Sequence, residues 1–269
     1  MSAKNIQSNV TIESEKLGAR LSFNEKYQTR SFQKWLEDRV EIKKGYNILD
    51  VGCGTGEQTV RFLKKIGSNG TISCLDINER SIKNLMIRIE GDNRVEAVVE
   101  GMDNLIEVIN EIYSTKKFQL THAAYSLYYA EDWERVLRSM ISSTTHDGMV
   151  AIATPAQPHG LIDIASKYNK IPEKIIDSLD FGLSKVLPVI RRYCWEVEVR
   201  FFQSNLVVES ENDLIDFYRA TTYYDKLSEG KIREYVQNKI AENGHISLEK
   251  NSVLILGTNF REGYDSANF

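Results

Sequence analysis

Three glycines placed directly after an apolar run are the first residues that could do chemistry. Residues 47–51 are typical of a short buried strand, and Gly52, Gly54 and Gly56 follow it in a G-x-G-x-G pattern. Glycine adopts backbone conformations that other residues avoid, so the main chain of such a turn can come within contact distance of a ligand. The segment predicts a strand, a ligand-binding turn and a helix, although the same turn could be a plain strand-to-helix connection.

A carboxylate stands at the end of the next predicted strand. Residues 71–75 form a second apolar run, and Asp76 follows it twenty positions after Gly56. An ionised carboxylate only accepts hydrogen bonds, and at this spacing it can receive both hydroxyl protons of a ribose. The turn and the acid together predict a nucleoside-containing cofactor, whereas Asp76 taken alone could simply cap a helix.

The position after the third glycine distinguishes between nucleoside cofactors. A dinucleotide fingerprint would have its third glycine at position 57, where this chain has Glu57. Pyrophosphate binds at the N-terminus of the following helix, and an acid there would repel it. S-adenosylmethionine carries no phosphate, and its sulfonium and ammonium groups are positive. The pattern therefore favours S-adenosylmethionine over a nicotinamide dinucleotide.

The segment Ile48 to Gly56 closely resembles the first motif of the class I S-adenosylmethionine-dependent methyltransferases, and the resemblance extends over residues 28–155. It implies that Asp50 holds the loop and reaches the methionine end, and that Asp76 binds the ribose. It also implies that the product is S-adenosylhomocysteine. The predicted cofactor-binding residues are Tyr27, Gln28, Asp50, Gly52, Cys53, Gly54, Asp76, Ile77, Met102, Asp103 and Tyr125.

Two parts of this set depend on loops outside the first motif. In the related enzymes the loop after the third strand meets the adenine, which implies that Asp103 takes the exocyclic amine and Met102 packs on the ring. The usual pattern places the acid directly after the glycine, whereas here Met102 stands between Gly101 and Asp103. In the same enzymes a leader segment folds over the cofactor, which implies a lid containing Tyr27 and Gln28.

The order of apolar segments predicts an α/β fold. The expected architecture is a Rossmann-like sheet of seven strands, mostly parallel with an antiparallel last strand, and a helical cap inserted after the fifth strand. The predicted strands include 118–124 and 149–154, with Pro155 and Pro158 breaking the pattern afterwards. We expect an N-terminal lid or leader, a cofactor-binding core, a substrate cap and a C-terminal part of the core sheet with its helices: 1–28, 29–155, 156–194 and 195–269.

Tyrosines after the fourth predicted strand are candidates for the catalytic site. Tyr125, Tyr128 and Tyr129 follow that strand at the topological switch region, where ligands of open α/β sheets bind. Tyr128 and Tyr129 are the predicted catalytic residues together with His159, which is a candidate base at the start of the cap. Ordinary half-buried packing is the alternative for the tyrosines. His122, inside the fourth strand, is interpreted as a core histidine.

Composition limits the other function classes. The 269 residues contain 34 basic and 38 acidic side chains, with a formal net charge of -4, which does not suit a phosphate-backbone binder. The three cysteines form no C-x-x-C pair, so disulfides and a metal site are not expected. No apolar stretch is long enough for a signal peptide or a bilayer span, which predicts a cytoplasmic protein away from membranes. We expect a monomer or a homodimer.

The methyl acceptor stays open at this stage. The segment Leu127 to Asp132 is similar to small-molecule members such as histamine N-methyltransferase, whereas Asp213 to Phe217 is similar to the trans-aconitate and juvenile hormone acid O-methyltransferases. The two resemblances disagree on nitrogen against carboxylate oxygen. We expect a small-molecule acceptor and no nucleic acid; a nucleic-acid methyltransferase or a non-catalytic S-adenosylmethionine-binding protein are the alternatives.

Overall fold

The computed structural model describes residues 16–113 and 116–264. The first fifteen residues of the predicted leader therefore lie outside the described part. The strands are β1 (Asn47–Val51), β2 (Thr71–Asp76), β3 (Val95–Val99), β4 (Phe118–Ala124), β5 (Thr144–His159), β6 (Cys194–Phe202), β7 (Asn205–Val208) and β8 (Ile246–Phe260). The helices are α1 (16–27), α2 (Phe32–Glu37), α3 (Glu57–Lys65), α4 (Glu79–Arg88), α5 (Leu105–Glu111), α6 (Trp133–Ser143), α7 (Gly160–Ala165), α8 (Glu173–Ser178), α9 (Leu187–Tyr193), α10 (Glu211–Arg219) and α11 (Glu229–Asn243).

The strands form one sheet in the order β3-β2-β1-β4-β5-β8-β6, with β7 paired to β8. β1 runs parallel to both β2 and β4, with Val51 opposite Leu75 and Asp50 opposite His122. The carboxyl ends of these three strands therefore meet at one edge of the sheet. The chain reverses its direction of strand addition between β1 and β4, which is where open α/β sheets bind ligands.

Side-chain caps fix the starts of several helices. Asn78 precedes α4 and accepts a hydrogen bond from the Ser81 amide at 3.0 Å. Asp132 accepts from the Arg135 amide at the start of α6, and Ser210 accepts from the Asp213 amide ahead of α10. Each cap satisfies one of the amides that a helix N-terminus leaves unpaired. These starts therefore follow from residue type alone.

The α/β class and the mostly parallel sheet with antiparallel C-terminal strands are confirmed. The sheet has one strand more than the seven predicted, because β7 pairs antiparallel with the first part of β8. β5 is also longer than predicted and continues through Pro155 and Pro158 to His159. Proline removes only one amide donor, so a strand can continue through it wherever that donor is not needed by a neighbour.

The chain folds into two compact units. Of the described residues, unit 1 contains 16–32, 155–180 and 201–252, and unit 2 contains 33–113, 116–154, 181–200 and 253–264. Three of the five boundaries between them fall within β5, β6 and β8. In this division 155–180 groups with the N-terminal and C-terminal segments, and 181–200 groups with the core sheet. The four functional segments expected from the sequence stay a prediction.

Each unit has its own apolar interior. The core sheet of unit 2 buries β1, β2 and β4 almost completely, with Ile48, Leu49 and Leu75 at 0% exposure. Near-continuous apolar strands of this kind are expected for parallel strands covered on both faces. Unit 1 packs α7, α10 and α11 around a second cluster that includes Leu161 and Tyr218.

Candidate functional site

The glycine turn after β1 adopts the conformations that its residues suggested. Gly52, Gly54 and Gly56 have φ angles of 72°, 54° and 80°, all in the left-handed region that glycine tolerates best. The amides of Gly52 and Cys53 both donate to the carbonyl of Leu75, at 2.7 and 3.1 Å. The turn is therefore anchored to the end of β2 by its own backbone.

Gly52 lies against the segment that follows β4. A Cβ atom at Gly52 would lie 2.3 Å from the Cβ of Ser126 and 3.3 Å from the Cε of Met102. Ser126 is buried, and its hydroxyl donates to the Val51 carbonyl at 2.8 Å. Ser126 was not among the site residues predicted from the sequence. Its place beside Tyr125, at the end of the fourth strand, was the available signal.

Asp76 connects the second strand to the glycine turn. One carboxylate oxygen accepts from the Gly54 amide at 2.8 Å, and the other accepts from the Asn78 amide at 2.8 Å. Burial raises the pKa of Asp76 above its ordinary value, and the two amide donors act in the opposite direction. Each oxygen of a carboxylate can accept a second hydrogen bond. Asp76 is therefore held in place while keeping acceptor capacity for a pair of hydroxyls.

Asp50 is buried beneath the turn. It is 2% exposed, and its oxygens lie 2.9 Å from Nδ1 of His122 and 2.7 Å from the hydroxyl of Thr59, which donates to it. The buried network joins β1, β4 and α3, and it agrees with the interpretation of His122 as a core histidine. The contacts of Asp50 shown here support the shape of the loop, and its contact with the methionine end stays a prediction.

An apolar surface borders Asp76. Ile77 is 69% exposed, although it directly follows a buried strand. Its Cδ1 lies 3.9 Å from the position that a Cβ would occupy on Gly101, and Met102 follows Gly101 beside the turn. An exposed large apolar side chain at a strand end is the kind of surface that an aromatic ring can cover. Ile77 and Met102 thus offer an apolar surface next to the predicted ribose acceptor.

Asp103 joins the loop after β3 to the start of α6. Its two oxygens accept from the amides of Glu131 and Asp132, at 3.3 and 2.9 Å. A contact with an adenine amine would use the remaining acceptor capacity of this carboxylate. The predicted adenine contact of Asp103 stays a prediction, and the structure adds a positioning role for the same side chain.

Cys53 and Cys74 are free thiols near the turn, and the Sγ of Cys53 lies 3.8 Å from the Gly54 carbonyl oxygen. The pKa of Cys53 is raised well above its ordinary value, first by its hydrogen bond with Cys74 and then by burial. A thiol with a raised pKa stays protonated at neutral pH and is a poor nucleophile. Cys53 is therefore interpreted as part of the wall of the glycine turn and not as a nucleophile.

The three predicted tyrosines follow β4. Tyr125 has a positive φ of 56°, an uncommon conformation for a residue with a bulky side chain, and its amide donates to the Ala153 carbonyl at 2.8 Å. Tyr128 and Tyr129 lie in a short 3-10 turn with their ring centroids 4.6 Å apart. Tyr129 is 49% exposed. Phe181 adds a further aromatic ring 6.1 Å from that of Tyr128.

The other three predicted site residues belong to unit 1. The hydroxyl of Tyr27 donates to Asp213, and the backbone of Gln28 bridges to Leu206. His159 ends β5, is half-buried, and has an Nδ1 atom that is buried without a hydrogen-bond partner among the described residues. The lid role of Tyr27 and Gln28 and the base role of His159 stay predictions.

The residues of unit 2 fit S-adenosylmethionine. Asp76 offers hydroxyl acceptors, Ile77 and Met102 offer an apolar surface, and the left-handed turn brings the main chain to the same edge. The helix after the turn begins with Glu57, whose carboxylate forms an ion pair with Arg88; this pair has no net charge, whereas a phosphate-binding site would be positive. Fold and site together define a class I S-adenosylmethionine-dependent methyltransferase domain.

Comparison with known sequences leads to the same class. A family model described as a methyltransferase domain matches residues 42–212, more than half of the chain, and the chain belongs to that family. It is 28% identical over 127 residues to malonyl-[acyl-carrier protein] O-methyltransferase 1 of Ilyobacter polytropus, covering 45% of this chain and 44% of that protein. It is 25% identical over 120 residues to demethylmenaquinone methyltransferase of Lactobacillus johnsonii, covering 45% and 48%. The matches thus span about half the length of these curated relatives.

Solved structures share the fold at low sequence identity. A putative methyltransferase from Bacillus halodurans superposes with a TM-score of 0.58 at 13% identity, over 86% of this chain and 99% of that one. The [4+2]-cyclase SpnF superposes with a TM-score of 0.51 at 14% identity, over 84% and 80%. Identities this low show the fold alone.

The described helices include none that is both long enough and apolar enough to cross a membrane.

Proposed function

We propose that this protein transfers the methyl group of S-adenosylmethionine to a nitrogen or oxygen of a small-molecule acceptor by in-line displacement. The observation that carries the proposal is the left-handed glycine turn bonded directly to Asp76. This arrangement brings main chain and a carboxylate to one sheet edge, and the helix that follows begins with an acid where a phosphate would bind. Family membership supports the cofactor, and the site residues are our assignment.

The protein's part in such a reaction is mainly positioning. Bound S-adenosylmethionine supplies a methyl group on a positively charged sulfur. Asp76 holds the sugar, the glycine turn allows close approach, and Ile77 with Met102 covers the apolar part of the nucleoside. Holding two reactants in attack geometry contributes about 7 to 11 kcal/mol in favourable cases, so little further chemistry is required of the side chains.

Tyr128 and Tyr129 are assigned to the acceptor side. Aromatic side chains after β4 can exclude water, which otherwise competes for the lone pair of the acceptor. A carboxylate acceptor needs no base, whereas an amine or hydroxyl must lose a proton. His159 remains our candidate for that proton. Burial and then the charge of Lys250 lower the pKa of His159 to about 4, so the imidazole is neutral at pH 7 but is a weaker base than an ordinary histidine.

The acceptor follows from the relatives only in outline. One relative is named for O-methylation of malonyl-[acyl-carrier protein], and the other for methylation of demethylmenaquinone. Both names describe metabolites or carrier-bound acyl groups, which supports a metabolic acceptor over nucleic acid. Because the matches cover about half of either relative, neither acceptor is assigned to this chain.

The test is a transfer assay with S-adenosylmethionine labelled on its methyl group. We expect label to enter low-molecular-weight products when the purified protein is incubated with a metabolite extract, and not to enter added DNA or RNA. Label in nucleic acid would contradict the proposed acceptor class. Binding of the cofactor without transfer to either pool would indicate a non-methylating role, since one fold can host more than one chemistry and a protein named as a cyclase shares this one.

A further inference from the structure

Strand β6 ends the sheet and has one unpaired side. It pairs with β8, and the described part of the chain adds no strand to its other side. β6 is nine residues long and contains neither proline nor glycine, and its residues 194–200 belong to unit 2. An edge strand presents backbone amides and carbonyls that can pair with another chain, unless the strand is very short or interrupted by proline. The backbone of β6 can therefore be extended by a further strand.

Both faces of β6 within unit 2 keep accessible side chains. Trp195 is 64% exposed, and Val197 and Val199, which share its face because side chains alternate along a strand, are half-buried. Glu198 and Arg200 lie on the opposite face and are exposed. A long edge strand with accessible apolar side chains is a typical place for another chain to bind.

The charged face of β6 carries both signs. The carboxylate of Glu198 and the guanidinium of Arg200 are 2.7 Å apart, and both side chains are more than half exposed. An ion pair this exposed contributes little to stability, so it can exchange partners at small cost. Charges on an edge strand ordinarily oppose pairing between copies, but a face with both signs excludes only those registers that bring like charges together.

The order of the charges selects one register for two copies of β6. Opposite residues of an antiparallel pair share a face, so the two-fold axis of a symmetric pair must pass through a residue. With the axis at Val199, Glu198 of each copy lies opposite Arg200 of the other. Moving the axis by one residue places either Glu198 opposite Glu198 or Arg200 opposite Arg200, and like charges directly opposite are destabilising. The register centred on Val199 is therefore favoured over both of its neighbours.

We propose that β6 is the interface of a homodimer, in which the strands of two copies pair antiparallel about Val199 and join two sheets into one. The occupant of the unpaired side of β6 is thus a second copy of this chain. The inference goes beyond methyl transfer and does not depend on it. The mass of the assembly can be measured without cofactor or acceptor, so the two proposals succeed or fail separately.

Cysteine trapping tests the register. Opposite residues of an antiparallel pair have Cα atoms about 4.5 to 5.5 Å apart, which lies within the range of about 4.4 to 6.8 Å that a disulfide spans. Val199→Cys places its two copies opposite each other and should form a covalent dimer under mild oxidation. Val197→Cys is the matched control, since it is half-buried on the same face but its two copies would be separated by about 13 Å along the strands.

Non-reducing gel electrophoresis of the full chain measures the trapped fraction. The wild type is treated with the same oxidant, because it has its own free thiols. Val197→Cys should show no more covalent dimer than the wild type. Equal trapping of Val197→Cys and Val199→Cys, or no trapping of Val199→Cys above the wild type, would overturn the proposal.

Charge reversal tests the same pairing without a new thiol. By sedimentation equilibrium at micromolar concentrations we expect the wild type to have twice the chain mass of 30.8 kDa. Arg200→Glu should reduce this to one chain, because it places two glutamates opposite each other at both positions. Adding Glu198→Arg should restore the dimer, since opposite charges again meet. Lys83→Glu is the control: it reverses a charge in another exposed ion pair of unit 2, with Glu79, and should leave two chains.

Circular dichroism checks that each variant keeps the wild-type fold. A mass of one chain for the wild type up to millimolar concentration would contradict the homodimer. A mass of two chains in Arg200→Glu, or of one chain in the folded double variant, would contradict the register centred on Val199.

Discussion

At the scale of the residue, the acidic side chains of the candidate site accept hydrogen bonds from backbone amides and keep further acceptor capacity for a ligand. Asp76 holds the amides of Gly54 and Asn78, and Asp103 holds two amides at the start of α6. Carboxylates have more acceptor capacity than these bonds use. A polar side chain fixed in this way meets a ligand without losing much further freedom, which favours tight binding.

Tyr128 is where the catalytic assignment can be tested most cleanly. Tyr128→Phe should lower turnover about fivefold while the affinity for S-adenosylhomocysteine stays at the wild-type value, because one hydrogen bond of about 1 kcal/mol would be lost on the acceptor side. Initial rates and calorimetry measure the two quantities. Tyr46→Phe is the control, since Tyr46 precedes β1 at the opposite end of that strand from the turn. Unchanged turnover in Tyr128→Phe would mean that this tyrosine serves packing alone.

At the scale of the element, the glycine turn depends on close packing as well as on backbone freedom. Gly52 and Gly45 both have positive φ angles, 72° and 84°, but only Gly52 of the two has a neighbour where its Cβ would be. Gly45 has open space within 4 Å. Alanine substitutions at these two glycines therefore separate the free-energy cost of the left-handed backbone conformation from that of the contact with Ser126.

We expect Gly45→Ala to lower the free energy of unfolding by about 1 kcal/mol, the cost of a left-handed conformation for a residue with a Cβ. Gly52→Ala should lower it by about 1 to 3 kcal/mol more, because its Cβ overlaps that of Ser126. Urea denaturation measures both. Adding Ser126→Gly to Gly52→Ala should recover part of the loss. Equal effects of the two alanine substitutions would show that the contact with Ser126 is unimportant.

The sequence predicted those elements whose signals are local. The turn after β1, the acid after β2 and the cap at Asn78 each follow from a short pattern of residue types. β7 and the full length of β5 do not, because four-residue strands and strands containing proline depend on which neighbour is available to pair. Ser126 was missed for a related reason, since its role arises from a contact with Gly52, far away in sequence.

Side-chain exposure on β6 is a further feature that the sequence pattern alone does not predict. Trp195, Val197, Val199 and Phe201 alternate with charged residues, a pattern that predicts a strand with one apolar face, but Trp195 is 64% and Phe201 57% exposed. β6 is the last strand in the sheet order, so less of the molecule covers it. The ring of Trp195 is covered by the guanidinium of Arg261 at 3.6 Å instead. A periodic pattern identifies a strand without saying which strand is at the edge.

At the scale of the whole molecule, the two units carry different chemistry. Unit 2 contains the glycine turn, Asp76 and the tyrosines after β4, and the chain belongs to a methyltransferase family, whose cofactor is S-adenosylmethionine. Unit 1 contains Tyr27, Gln28 and His159, whose lid and base roles stay predictions. All the predicted cofactor-binding residues except Tyr27 and Gln28 belong to unit 2. Binding of the cofactor alone, without an acceptor, therefore tests the predicted adenosyl site.

The central claim is that the turn and Asp76 bind the adenosyl group, and calorimetry with S-adenosylhomocysteine tests it most directly. We expect S-adenosylhomocysteine to bind the wild-type protein saturably, and the binding free energy to weaken by about 1 to 3 kcal/mol in Asp76→Ala. We expect no binding of NAD. Asp92→Ala, which removes an ion pair with Arg94 in the same unit, should bind as the wild type does. Binding of NAD, no binding of S-adenosylhomocysteine at millimolar concentration, or full affinity in Asp76→Ala would contradict the account.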